Sequence, residues 1–145
     1  MTLRHKIDAL VAEYGEAAVL NEALSLSSTV RVSQVATIVA NAGLHSFPDD
    51  ILRGDVYEFS RGMLDLTSKS TIEETLAQNL RQLAVFLRAK QWKKIYIVTS
   101  GHPVFSMQIK VAVYRITRLE TVDWLYDGTG NYFEISVPVR RLMAS

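Results

Sequence analysis

The chain has 145 residues, 48% of them hydrophobic and 21% charged, and a net charge of +1. That is the size and balance of one globular domain with enough length to bury a core. The charge demands neither nucleic acid nor an anionic membrane, and with no cysteine there is no disulfide, thiolate metal site or Cys nucleophile.

Further classes are narrowed by what the sequence lacks. The three histidines, His5, His45 and His102, lie far apart and show no metal-ligand spacing. No apolar run is long enough to span a bilayer. The N-terminus alternates charged and apolar residues without a signal-like apolar stretch, so a cytoplasmic location is expected. No cofactor is expected.

Leu3, Ile7, Leu10, Val11 and Tyr14 recur at helical spacing, and Gly15 offers a stop. Ala17, Val19, Leu20, Ala23 and Leu24 suggest a second helix, followed by a polar loop over Ser25–Thr29. Ser33 as a cap, with Val35, Ile38 and Val39, predicts a third short helix ending at Asn41-Ala42-Gly43. Residues 1–50 are therefore expected to be a helical portion. The stretch from His45 to Gly54, with Pro48-Asp49-Asp50, reads as a linker to an α/β portion over 55–145, with the two portions forming one compact unit.

From Asp55 the pattern changes. Val56-Tyr57-Glu58-Phe59 suits a strand. Ser70 and Thr71 each precede a Glu by three positions and compete to cap a helix striped by Ile72, Leu76, Leu80, Leu83 and Leu87. Lys94–Thr99 is a strand. Pro103 opens a helix carrying Phe105, Ile109, Ala112, Val113 and Ile116. Thr121–Tyr126 and Tyr132–Val139 are strands joined by the turn Asp127-Gly128-Thr129-Gly130-Asn131. The order β-α-β-α-β-β predicts a small Rossmann-like parallel sheet with a C-terminal antiparallel hairpin, in which residues 56–59, 95–99 and 121–126 are neighbouring strands.

Ligands of open parallel sheets bind beyond the carboxyl ends of the strands. Three segments end there: Ser60-Arg61-Gly62, Thr99-Ser100-Gly101-His102, and Tyr126-Asp127. Arg61 could fork onto an anion, Gly101 could admit a ligand to the backbone, and the helix starting at Pro103 offers N–H groups. The plainer reading makes Ser100-Gly101-His102-Pro103 a tight turn with His102 as the helix cap. If the protein were an enzyme, His102 would be the catalytic base, with Ser60, Ser100 or Asp127 as neighbours; otherwise no residue is catalytic. No nucleophile elbow, dinucleotide fingerprint, phosphate-binding loop or zinc-protease motif is present.

Among the aromatics, Tyr96 and Trp124 read as core, whereas Tyr126 and Tyr132 flank the hairpin turn and suit ligand contact. Arg88, Lys90, Lys93 and Lys94 complement a helix C-terminus better than they form a nucleic-acid patch. Gly15 between two helices, with Val30–Gln34 opening a third, outlines a helix-turn-helix, but Arg31 is the one basic residue of the candidate face.

A strand ending in Phe59-Ser60-Arg61-Gly62, a strand–Ser100-Gly101-His102–helix turn, and Tyr126-Asp127 before a Tyr132 hairpin resemble the CARF and SAVED sensor domains of prokaryotic antiviral systems. The resemblance covers about Asp55 to Val139. It implies a Rossmann-like fold binding cyclic oligonucleotides at these loops, across a dimer. The chain departs from those families in having no evident effector domain and in placing its helical part first. The reading is a cytoplasmic binding, sensor or regulatory protein for a small anionic, nucleotide-like ligand, acting as a homo-oligomer without a membrane partner. The alternatives are a small hydrolase or nuclease using His102, and a DNA- or protein-interaction module using the N-terminal helices.

Overall fold

The computed structural model describes residues 2–29 and 33–144. The chain forms two compact units, Met1–Ser33 and Gln34–Ser145. The division therefore falls well before residue 50.

The first unit is a helical hairpin, α1 (Leu3–Tyr14) and α2 (Glu16–Thr29). The Thr2 hydroxyl caps α1 by accepting from the His5 N–H, and the Gly15 N–H closes the other end on the Val11 carbonyl. The Ser25–Thr29 stretch, expected as loop, continues α2. Serine and threonine disfavour helix interiors only weakly, so a polar run need not end a helix.

The second unit is built on β1 (Val35–Val39), β2 (Asp55–Glu58), β3 (Lys94–Val98), β4 (Val122–Tyr126) and β5 (Tyr132–Ile135). Its helices are α3 (Lys69–Arg88), α4 (Pro103–Thr117) and α5 (Val139–Met143). The fold class is α/β, with a mixed sheet in the order β2-β1-β3-β4-β5. The first four strands are parallel, and β5 returns antiparallel along β4.

The largest correction concerns Val35–Val39, which is the central strand and not a third helix. Three apolar positions at helical spacing are also met by a continuous apolar run, and this run is short and rich in β-branched residues, as a two-sidedly buried parallel strand is. Residues 36–40 are all buried. The helix-turn-helix outline loses its third helix to this strand, and its Val30–Val32 start lies outside the described residues. A second correction follows. The 56–59 and 95–99 strands are parallel but not neighbours, because β1 lies between them.

The placement of β1 sets the layers. One sheet face, with Ala36, Ile38, Ile95 and Ile97, packs on Leu83 and Leu87 of α3 and Phe105, Ile109 and Val113 of α4. The other face, with Val39, Tyr96, Val98 and Trp124, is covered by Phe47, Ile51 and Leu52 from the β1–β2 connection. Crossovers in parallel sheets share one hand. The step from β1 to β2 runs opposite to the steps through α3 and α4, so its connection must lie on the opposite face.

Side chains sew that connection down. Buried Thr37 accepts from the Arg53 N–H at 3.0 Å and donates to the Arg53 carbonyl at 2.7 Å. The Arg53 guanidinium donates to the Tyr96 hydroxyl at 2.9 Å, pairs with Glu134 and lies 5.0 Å from the Trp124 ring centre. Gly54, at φ +67°, passes so close that a Cβ would meet the Val35 carbonyl oxygen at 2.0 Å.

Several local expectations also shift. Ser68, not Ser70 or Thr71, caps α3. β5 ends at Ile135, and after Pro138 the chain turns into the short α5 instead of continuing as strand. Among the described residues no helix is long and apolar enough to cross a membrane, and no cluster of His, Asp and Glu could hold a metal ion.

The stripe of α3 is buried at its C-terminal half: Leu83 is fully buried, while Leu80 is only partly so. Leu83→Ala should lower the unfolding free energy by about 2–5 kcal/mol. Leu80→Ala should cost less, and urea denaturation of the two variants side by side checks the order.

Candidate functional site

The carboxyl ends of the four parallel strands form one rim. The strand order reverses between β1 and β3, the place where open α/β sheets bind ligands. Three short segments leave the sheet here and are tied together by Asn41, the residue two beyond the end of β1.

Asn41 is buried, and its polar atoms are engaged with both neighbouring loops. Its Oδ1 accepts from the Ser60 hydroxyl at 2.9 Å, and its Nδ2 donates to the Gly62 carbonyl at 3.1 Å. On the other side the Ser100 hydroxyl donates to the Asn41 carbonyl at 2.6 Å and accepts from the Asn41 N–H at 2.9 Å. Gly101, at φ +76°, lies against this side chain, and a Cβ there would meet the Asn41 Cβ at 2.7 Å. Gly101 thus makes room for Asn41 as well as supplying a left-handed turn.

Next to this junction lies a cavity of about 640 Å³, within the range of small-molecule sites. His45, Ser46, Phe47 and Pro48 from the β1–β2 connection form one wall. Val98, Thr99, Ser100 and Gly101 form the end of β3, and Trp124, Tyr126, Gly130 and Tyr132 complete the lining from β4 and the hairpin. Tyr126 and Tyr132 pack with ring centres 5.1 Å apart, and Tyr96 stacks behind Trp124 at 5.6 Å. Burial raises the Tyr132 phenol above its ordinary value. The Trp124 indole N–H is buried without an acceptor among the described residues.

Of the residues picked from sequence, Thr99, Ser100, Gly101 and Tyr126 line the cavity. The others do not. Ser60 is buried and donates to the Ala40 carbonyl, so it is part of the Asn41 junction. Arg61 forks onto Glu58 at 2.9 and 3.1 Å and lines a separate cavity of about 340 Å³. Gly62 contributes its carbonyl to Asn41. The expected joint contact of Arg61 and Gly101 with one anion is therefore not built into a single cavity.

His102 is the cap of α4: its Nδ1 accepts from the Val104 N–H at 3.3 Å, and its carbonyl accepts from the Phe105 N–H. With Pro103 lacking an N–H, that helix end has few donors left for an anion. Among the described residues His102 makes no hydrogen bond to a serine or carboxylate, the pairing that marks a serine nucleophile and its oriented base. Asp127 is spent on its own turn. It accepts from the Thr129 N–H at 2.7 Å, the Asn131 N–H at 3.1 Å and the Asn131 amide at 3.0 Å.

Sequence reasoning missed His45–Pro48 and Asn41. The first was hidden as a linker and the second as a helix end, and both errors trace to the misread β1. Once Val35–Val39 is a strand, the polar residues after it become rim residues by the same location rule that found Thr99–Gly101. The basic residues near the α3 end are engaged locally: Lys90 pairs with Asp55 and lies over Trp92, and Lys94 lies over Tyr96.

The Thr129 N–H, followed by the Asn131 amide, holds the Asp127 carboxyl down from its ordinary 3.8 to about 2. A depressed acid stabilises the fold above its unfolded value, and that contribution is lost as pH falls through the folded value. Hairpin order should thus persist at pH 4 and decline toward pH 2, as followed by the Thr129 and Asn131 amide resonances. Asn41→Ala should cost about 1–3 kcal/mol, since it strands the groups it satisfies. Gly101→Ala should destabilise by about 1 kcal/mol or more, which thermal unfolding checks.

Comparison with protein-family models, with curated proteins and with solved structures finds no match, so the likeness to CARF and SAVED domains rests on the residues quoted for it.

Proposed function

We propose that this protein binds a small ring-bearing, nucleotide-like ligand in the aromatic cavity beside β3 and β4, and acts as a sensor or regulator. The observation that carries the reading is the lining itself. Tyr126, Tyr132, Phe47 and His45 offer flat faces, and Thr99 offers a hydroxyl group, at the reversal point of the strand order. Stacking on aromatic faces with a few polar contacts suits a nucleobase.

Among the described residues the lining contains no Arg or Lys. The base, more than a phosphate, is the part of the ligand this cavity is built to hold. A phosphate would extend toward solvent, or toward Arg61, whose cavity shares the His45–Phe47 wall. A role in antiviral signalling is the regulatory setting that the CARF and SAVED resemblance implies. The hydrolase reading has less behind it, because His102 is a helix cap outside the cavity lining.

Titration with adenosine, guanosine, their monophosphates and a cyclic dinucleotide, read by calorimetry, tests the proposal. At least one should bind saturably. Tyr126→Ala should then weaken it by about 1–3 kcal/mol, the worth of one base–aromatic stack, while His102→Ala should leave affinity nearly unchanged. Absence of binding across the panel, or binding indifferent to Tyr126, would remove the reading. Turnover that disappears in His102→Ala with binding retained would favour the enzyme.

A further inference from the structure

The helical unit leaves its best apolar seam uncovered. α1 buries none of its residues. Leu3, Ile7, Leu10 and Tyr14 are exposed by 73%, 43%, 45% and 62% with α2 in place. They follow one another at intervals of four, three and four residues, the alternation of a heptad seam. A hairpin this short cannot enclose a core of its own, and helices of this length are marginal alone.

The charges of α1 point the same way. Arg4 and Lys6 sit near its start and Glu13 near its end, with no acid in the first turn and no base in the last. This is the reverse of what the helix dipole favours. Among the described residues none of the three makes an ion pair. Within the hairpin, neither the seam nor the charge order has a use.

A second α1 running antiparallel supplies both. With the two copies related by a two-fold axis, Leu3 meets Tyr14 of the second copy and Ile7 meets its Leu10. The basic start of each helix then faces the acidic end of the other, and the dipoles oppose. We infer that α1 is a homodimer contact, pairing antiparallel with α1 of a second copy of this chain along the Leu3–Ile7–Leu10–Tyr14 seam. A two-fold contact is self-complementary, so each side-chain pair occurs twice. The inference is independent of what the cavity binds.

Sedimentation equilibrium of the full chain tests it. The wild type should be a dimer that dissociates on dilution. Leu10→Glu places two carboxylates in the seam and should weaken association about 100-fold or more. Its tryptophan emission should stay unchanged, because Trp92 and Trp124 lie in the other unit and report that the sheet unit remains folded. Lys6→Glu should weaken association roughly two- to five-fold per ion pair, and adding Glu13→Lys should restore it, since only an antiparallel partner brings these positions together. A wild type that remains monomeric at about 100 μM overturns the inference, meaning that the seam is covered within one chain or by another protein. A dimer indifferent to Leu10→Glu, or a charge swap that fails to restore association, overturns it equally.

Discussion

The burial of β1 is the constraint on which the rest of the α/β unit depends. Its residues pair in parallel with β2 on one side and β3 on the other, and both faces are covered. Such a strand must be apolar except where a polar side chain is hydrogen-bonded, as Thr37 is, because neither face meets water. It also fixes the layers: helices on one side, and the β1–β2 connection on the other, stitched down through Thr37 and Arg53. From the end of this strand Asn41 reaches both neighbouring loops, so the geometry of the rim is inherited from the placement of β1.

The electrostatics of the rim are largely internal. Arg61 is held by Glu58, Asp127 by its own turn and His102 by the first turn of α4. Each of these residue types is rich in potential chemistry, and each is satisfied locally at little conformational cost because its partner is two to four residues away. What remains open at the cavity is aromatic and hydroxylic. Under the proposed function, such a lining would hold a ring by shape and stacking, with orientation set by a few donors and acceptors.

The helical unit obeys a different logic. The sheet unit closes its own core, whereas α1 buries none of its residues. A heptad seam with inverted end charges is costly for a lone helix and useful for an antiparallel pair. If α1 pairs as inferred, the two units divide two tasks: lining a pocket and meeting a second copy.

The sequence by itself determined the elements whose signals are local. The amphipathic stripe of α3, the Pro103-led α4 with His102 as its cap, the turn around Asp127 and the parallel sense of the strands were all legible. So were Tyr96 and Trp124 as core and Thr99–Gly101 and Tyr126 as rim. Tertiary structure alone decided that Val35–Val39 is a strand, because a short apolar run carries no period that separates helix from strand. Only two neighbouring strands satisfying its backbone groups settle the matter. The order of the sheet, the removal of Arg61 to another cavity and the entry of His45–Pro48 into the site all follow from that one pairing. Hydrogen bonds between residues distant in sequence, such as those of Asn41 with Ser60 and Ser100, 19 and 59 positions away, leave no trace in local sequence pattern.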